Sequence, residues 1–289
     1  MTVFLAPELD HLVFWMTERE TVRALKESGA PKPWTADPLL RDYRWCNVRR
    51  MDDRVSRWLF ENWYGDRDDP AEQLVAAAWA RLINWPEALI EIDDQRHPIE
   101  ARRVLEARAA RGEKVFTGAY VIPGVVGQNK VKSICALVAA IADSAGSILA
   151  HRTARDTWKA LIAFNGLGAF LAGQIIADLA ALGAGDEWPD KGTWAPIGPG
   201  SARGMNRLLG RAKEYRIRQN EFEELLRELT PIVRERTVDL WNDRALITMD
   251  LQNCLCEFDK YRRLTLGEGR VRARYDGVAT ASDAQKGLL

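Results

Sequence analysis

The chain has 289 residues, of which 47% are hydrophobic and 28% are charged, a composition typical of a globular protein with a substantial core. Its 41 basic residues balance its 41 acidic residues, so any binding to nucleic acid must come from local clustering of charge. Three scattered histidines and four cysteines without CxxC spacing argue against a histidine metal site, a Ser-His-Asp triad and a zinc knuckle. No signal peptide and no run of about 18 apolar residues are found. We therefore expect no metal site, no membrane association, reduced thiols and a cytoplasmic location.

Helical periodicity dominates the chain. The first predicted helix covers residues 9–26 and stops at Gly29, and Asp37-Pro38 supplies an N-cap and a first-turn proline for the next helix. Strand-like alternation occurs only over residues 115–122, as one candidate hairpin arm. Further helices are predicted over residues 48–63, 71–92, 98–112, 130–142, 153–164, 219–238 and 248–266.

This pattern predicts an all-α, multi-helical fold. Residues 1–270 would form a single helical catalytic domain with room for two lobes. Residues 271–289 are poor in apolar side chains and rich in small and polar ones, which predicts a flexible tail.

A basic and aromatic segment spans residues 34–57. Its arginines are interleaved with aromatic rings, and a planar guanidinium matches the geometry of a phosphate. The segment is therefore a candidate surface for phosphates and bases, and the alternative is a solvated basic face paired with its own aspartates. The candidates are Asn47, Arg50 and Arg54 for phosphate or DNA contacts, and Trp34 and Trp45 for base stacking.

Two glycine-rich segments follow. Gly166 and Gly168 lie where one helix should end and another begin, an arrangement similar to the helix-hairpin-helix of DNA glycosylases, with Asp190 at the distance of a catalytic aspartate. Residues 198–204, Gly-Pro-Gly-Ser-Ala-Arg-Gly, precede a predicted helix and could form an anion cradle from backbone amides. The alternatives are an ordinary turn between packed helices and an elaborate loop. The cradle candidates are Gly198, Gly200, Ser201 and Arg203.

Residues 254–263 concentrate acids, cations, aromatics and thiols in ten positions. In a helix, side chains three and four apart share a face, so Glu257 would meet Lys260. A carboxylate beside a cation suits binding or proton transfer, and the alternative is a salt-bridged face. Because a helix turns 100° per residue, Glu257, Asp259 and Lys260 cannot all point in one direction, and which of them points inward stays open.

Together these segments resemble a known family. The matching stretches are residues 14–19 (Phe-Trp-Met-Thr-Glu-Arg), 29–38, 43–54 (Tyr-Arg-Trp-Cys-Asn-Val-Arg-Arg-Met-Asp-Asp-Arg), 198–204 and 255–261. They are similar to the helical proteins of phage thymine hypermodification, described as α-glutamyl/putrescinyl-thymine pyrophosphorylases. That group is related to the helical domain of 5-hydroxymethyluracil DNA kinases. The resemblance covers roughly residues 9–265 and implies a glycosylase-like core.

The resemblance implies a transferase that acts on modified thymine in double-stranded DNA. An amino acid or amine would replace the phosphate or pyrophosphate on the methylol group of 5-hydroxymethyluracil. Base flipping would make the base reachable. Asp190, Glu257 or Asp259 would accept a proton, Lys260 would hold a carboxylate or phosphate, and Arg50 and Arg203 would bind the leaving group.

The chain lacks a P-loop, which favours the transferase branch and leaves a DNA kinase as a separate functional partner. A glycosylase acting on a modified base and a non-catalytic DNA-binding partner are the alternatives. No cofactor site is evident, although a pyrophosphate leaving group could carry Mg²⁺. If the protein is phage-encoded, it would act in the host cytoplasm.

Overall fold

The computed structural model describes residues 2–92, 97–118, 129–240 and 246–268. Across these ranges the protein is all-α, without a β-strand. The helices are α1 (Ala6–Glu27), α2 (Pro38–Asp42), α3 (Arg54–Trp58), α4 (Pro70–Ile83), α5 (Pro86–Glu91), α6 (Pro98–Ala110), α7 (Lys130–Asp143), α8 (Ala145–Leu149), α9 (Ala154–Ile162), α10 (Ala169–Leu182), α11 (Pro199–Leu208), α12 (Gln219–Arg236) and α13 (Thr248–Thr265). The predicted fold class is therefore confirmed.

Local signals account for most helix ends. The Asp37 carboxylate accepts the backbone N–H groups of Leu39 and Leu40, which confirms the predicted cap of α2. The predicted helix over residues 71–92 divides into α4 and α5. Asn84 takes a left-handed conformation there, and Pro86 begins α5.

The helix predicted over residues 48–63 was wrong in its first half. A 3₁₀ turn occupies Arg50–Asp52, α3 begins at Arg54, and a π-helical turn, Leu59–Trp63, completes the segment. Asp53 is extended, with ψ of 135°, and its carboxylate accepts the backbone N–H of Asn47 at 2.8 Å. This hydrogen bond holds the 43–53 segment in an irregular conformation that helical periodicity cannot reveal.

Two groups of helices share one hydrophobic core. In the first group, α13 packs against α1, α11, α12 and α2. In the second group, α4 packs against α7, α8 and α10, while α6 packs on α7 and α9 packs on α10. The 43–53 segment reaches both groups through side-chain and backbone hydrogen bonds. The predicted single domain stays a prediction.

Two sequence-based predictions lie partly or wholly outside the described residues. Only residues 115–118 of the candidate hairpin arm are described, and they form no strand. The predicted tail at 271–289 lies outside the described ranges. Among the described helices, none is long and apolar enough to cross a membrane.

Candidate active site and its surroundings

Helix α13 directs its predicted charged residues to two different sides. Glu257 and Lys260 face the 43–53 segment, where Glu257 accepts the backbone N–H of Cys46 and Lys260 donates to the carbonyl oxygen of Arg44. Asp259 faces α11 instead. The question that the sequence left open is thereby answered: Glu257 and Lys260 act on one side of the helix and Asp259 on another.

We call the group Arg19, Asn47, Asp53, Glu257 and Lys260 the motif cluster. It forms where α1, the 43–53 segment and α13 meet. The Arg19 guanidinium donates to the carbonyl oxygen of Cys46 at 3.1 Å and to the side-chain oxygen of Asn47. The Asn47 side-chain amide donates in turn to the carbonyl oxygen of Asp52 at 2.6 Å. Asn47 is thus a positioning residue that ties α1 to the irregular segment.

Glu257 and Lys260 form the α13 side of the motif cluster. The Lys260 ammonium lies 3.1 Å from the Glu257 carboxylate, and the Glu257 side chain accepts the Cys46 N–H at 3.4 Å. Both side chains are largely buried, being 19% and 12% exposed. The predicted Glu257–Lys260 pair is therefore present, and it lies against the 43–53 segment rather than in open solvent.

Burial controls protonation in the motif cluster. It raises the pKa of Asp53 to about 6, against the opposing effects of the Asn47 N–H and of the Arg50 and Arg19 guanidinium groups. Burial also lowers the pKa of Arg19, although nearby Asp53 counters this shift. Asp53 is consequently a carboxylate that changes charge close to neutral pH.

The thiols beside the motif cluster stay protonated. Burial, reinforced by the negative charges of Glu257 and Asp53, raises the pKa of Cys46 well above its ordinary value. Burial likewise raises the pKa of Cys256 to about 11. Since the thiolate is the nucleophilic form, these cysteines are not activated nucleophiles.

The two predicted stacking residues have different surroundings. Trp45 is half-buried beside the motif cluster, and its ring centroid lies 6.0 Å from that of Tyr261 and 4.2 Å from the Lys260 ammonium. Trp34 donates its indole N–H to the carbonyl oxygen of Ala30 at 2.7 Å, a contact within its own loop. Only Trp45 is thus tied directly to the motif cluster.

Arg50 belongs to a different group, which we call the scaffold cluster: Arg50, Tyr64, Arg81 and Asp178. Its guanidinium contacts Gln174 and lies 3.2 Å from Asp178. Asp178 is fully buried, pairs with both nitrogens of the Arg81 fork and accepts the Tyr64 hydroxyl at 2.6 Å. These contacts direct the Arg50 side chain toward α10, and its role in binding the leaving phosphate stays a prediction. Arg54, by contrast, is exposed at the start of α3.

Residues 198–204 do not form a loop ahead of a helix. Gly198 caps α11, and the remaining residues form its first turns. A Cβ at Gly204 would overlap the carbonyl oxygen of Leu255, and one at Gly200 would overlap the Cys256 side chain. The Ser201 hydroxyl accepts the Gly198 N–H at 3.0 Å and the Gln252 amide at 3.1 Å. Close packing of α11 on α13 explains these glycines, and phosphate binding by this run stays a prediction.

Arg203 extends from α11 to the face of α13 that carries Asp259. Its Nε donates to Asp259 at 2.7 Å, and the Arg207 Nε donates to the other oxygen of the same carboxylate at 3.0 Å. Asp259 is only 1% exposed. Its carboxylate pairs with two arginines, and its role as a general base stays a prediction.

One helix ends before Gly166 and the next begins after Gly168, as predicted. Gly166 has a φ of 90°, which only glycine adopts readily, and Gly168 caps α10 after the end of α9. Both carboxylate oxygens of Asp190 accept backbone N–H groups at the start of α9, from Ala154 at 2.7 Å and Arg155 at 3.1 Å. These bonds give Asp190 a capping role. The glycosylase-like architecture stays a prediction.

A family model described as the helical domain of 5-hmdU DNA kinase matches residues 6–270. The chain belongs to this family. The predicted relation to the helical domain of 5-hydroxymethyluracil DNA kinases is therefore confirmed, and it relates the chain to base modification in DNA. No curated protein and no solved structure matches the chain significantly.

Two residues of the motif cluster, Arg19 and Asp53, were not among the residues that the sequence singled out. Both lie in stretches that carry the family resemblance, residues 14–19 and 43–54. Membership of these stretches is the sequence feature that could have identified them as site residues. Within the described ranges no group of three or more His, Cys, Asp or Glu side chains could hold a metal ion. Mg²⁺ carried by a leaving group stays a prediction.

Proposed function

We propose that the protein is a transferase acting on modified thymine in DNA. It would attach an amino acid or amine to the phosphorylated or pyrophosphorylated methylol group of 5-hydroxymethyluracil and release phosphate or pyrophosphate. The supporting observation is the motif cluster, in which the acids Asp53 and Glu257 lie among the cations Arg19 and Lys260. The cluster also joins three of the stretches that carry the family resemblance.

The proposed chemistry needs a base and positive charge at one place. The amine nitrogen forms a bond to the methylene carbon, the carbon–oxygen bond breaks, and its electron pair leaves with the phosphate or pyrophosphate. A carboxylate takes the proton that the nitrogen loses. Asp53 fits this role because, with a pKa of about 6, it is mostly ionised at neutral pH yet more basic than an ordinary aspartate.

Charge stabilisation would come from the cations of the cluster. Arg19 keeps a guanidinium charge in the cluster while its Nε and one Nη donate to Cys46 and Asn47, and Lys260 adds an ammonium. Glu257 orients Lys260 at 3.1 Å and is the second candidate base. Half-buried Trp45 would form one wall for a flipped base, with Lys260 moving off its ring to admit the base.

The first test is turnover. The protein is incubated with duplex DNA containing 5-pyrophosphomethyluracil and a panel of amino acids and polyamines, with and without Mg²⁺, and product nucleosides are identified by mass spectrometry. We expect an amine adduct and release of pyrophosphate. Asp53→Asn should lower the rate by about 10²–10⁴-fold, the range for loss of a general base, and Glu257→Gln should also lower it.

Asp250→Asn is the matched control. Burial raises the pKa of Asp250 to about 6 as well, but its carboxylate accepts the backbone N–H of Arg50 and it lies outside the motif cluster. The control should keep most activity and the rise in rate through about pH 6, whereas Asp53→Asn should lose that rise. Full activity of Asp53→Asn and Glu257→Gln together would exclude the proposed chemistry.

A second candidate function is supported by the family description, which names a domain of a kinase. The protein would then bind DNA and present the modified base to a separate P-loop kinase, without chemistry of its own. Stimulation of such a kinase by added protein, with no adduct from any amine, would favour this role. For the glycosylase alternative the geometry adds no support, because the Asp190 carboxylate is held by the α9 backbone.

A further inference from the structure

The second half of α11 and the loop after it form a basic strip. Residues 203–218 contain six cations and one acid, whereas the chain as a whole is neutral. The six are Arg203, Arg207, Arg211, Lys213, Arg216 and Arg218. A local excess of positive charge is typical of a site that binds a polyanion. Because the net charge of the whole chain is zero, attraction of a polyanion must come from such a local cluster.

The strip borders a surface cleft with a volume of about 420 Å³. The cleft is lined by Arg203, Lys213, Arg263 and Glu268, and so combines α11, the 209–218 loop and the end of α13. Arg203 and Lys213 keep 35% and 40% of their side chains exposed. These cations can therefore contact an anion without unfolding their surroundings.

The loop that carries Lys213 is held in place by hydrogen bonds from α11. The buried Asn206 side chain donates to the carbonyl oxygens of Lys213 at 3.3 Å and of Tyr215 at 2.8 Å. Tyr215 is 51% exposed, and its ring lies 4.9 Å from the Arg211 guanidinium carbon. Arg216 is exposed beside it, while Ile217 is buried. The loop thus presents cations and an aromatic ring on a fixed backbone.

Two carboxylates organise the cations. Asp259 binds Arg203 and Arg207, and Glu268 binds Arg207 at 2.7 Å and Lys213 at 3.2 Å. Asp259 is buried and cannot leave, but Glu268 is 31% exposed at the rim of the cleft. A ligand phosphate would occupy the same Lys213 ammonium and so would compete with Glu268.

We propose that this strip and cleft bind the phosphate backbone of duplex DNA, separately from the motif cluster. Backbone contacts fix the register of a DNA-binding protein without reading sequence, and spaced cations on a rigid loop suit that task. The inference rests on the proposed function only in taking DNA as the substrate. It assigns the strip to docking rather than to the reaction.

The test is binding of unmodified duplex DNA, measured by fluorescence anisotropy over a range of salt concentrations. The double variant Lys213→Gln/Arg216→Gln should bind more weakly and should lower the salt slope by about 2, one for each lost phosphate contact. Arg103→Gln/Arg152→Gln removes the same charge from exposed positions on α6 and before α9 and is the matched control. It should keep the wild-type slope.

Glu268→Gln provides a test with the opposite sign, because removal of the competing carboxylate should raise the affinity above that of the wild type. Equal losses in the two double variants, or no loss in either, would overturn the proposal. So would unchanged DNA binding in Lys213→Gln/Arg216→Gln together with loss of pyrophosphate binding, since the cleft would then serve a free anion. Absence of amine transfer would count against the proposed function but would leave this result unaffected.

Discussion

The scaffold cluster and the motif cluster both bury an aspartate among arginines, yet the two aspartates shift in opposite directions. For Asp178, burial opposes ionisation, but Arg81, Arg50 and the Tyr64 hydroxyl hold its pKa below the ordinary value. For Asp53, burial prevails and raises the pKa to about 6. The difference lies in the number and closeness of the charged partners, since Asp178 is the more deeply buried of the two.

This contrast separates a structural carboxylate from the proposed general base. Asp178 has charged or hydroxyl donors on both oxygens and no capacity left for a ligand. The Asp53 carboxylate accepts the backbone N–H of Asn47 at 2.8 Å, and no guanidinium forms a salt bridge with it within the described residues. A buried carboxylate with few donors has a raised pKa and can take up a proton, which is what a general base requires.

The largest effect is expected from Asp178→Ala. It would leave Arg81 and Arg50 buried without their counter-ion, and breaking such a pair by removing one partner costs about 3–5 kcal/mol of unfolding free energy. Denaturant unfolding would measure the loss. Asp186→Ala, which removes an exposed partner of Lys191, should change stability little. If Asp53→Asn proved as destabilising as Asp178→Ala, the distinction between the clusters would fail.

The pH dependence of stability should also separate the clusters. The folded-state pKa of Asp178 lies below 3.8, so its contribution is present above that value and is lost as the pH falls through the folded pKa. The folded-state pKa of Asp53 lies above 3.8, so its contribution is fully present below about pH 4 and is lost as the pH rises through about 6. A shift of about two units corresponds to roughly 3 kcal/mol.

Unfolding free energies between pH 3.5 and 7.5 would measure both effects. Asp53→Asn should flatten the decline between pH 4 and 6, and Asp250→Asn should do the same, because the pKa of Asp250 is also about 6. Asp178→Asn should alter only the loss of unfolding free energy at the acidic end of this pH range. If the unfolding free energy of Asp53→Asn fell between pH 4 and 6 as steeply as that of the wild type, the pKa of Asp53 would not be raised in the folded protein.

Much of the fold could be predicted because its signals are local. The cap at Asp37, the glycine turn at Gly166 and the apolar spacing of α1 each act within a few residues. The irregular 43–53 segment could not be predicted, since the hydrogen bond between Asn47 and Asp53 and the contact of Cys46 with Glu257 on α13 hold it.

The candidate site was predicted in part, for the same reason. The Glu257–Lys260 pair follows from helical spacing, but its contact with Cys46 and Arg44 joins residues more than 200 positions apart. Gly204 illustrates a signal with two meanings. A run of glycines is typical both of a loop and of a close contact between helices. The position of the Leu255 carbonyl oxygen, which a Cβ at Gly204 would overlap, shows that here it serves a helix contact.

The smallest expected effect concerns the cation of the motif cluster. Lys260→Gln would remove the ammonium that lies 4.2 Å from the Trp45 ring centroid and 3.1 Å from Glu257, and we expect a loss of about 1 kcal/mol. Lys32→Gln, at 5.1 Å from the Trp34 ring in an exposed loop, is the control and should cost less. Thermal unfolding would measure both. A loss for Lys260→Gln comparable to that for Asp178→Ala would mean that the motif cluster is a second scaffold. A small loss of stability joined to a large loss of amine transfer would mean that its charges are held for the reaction.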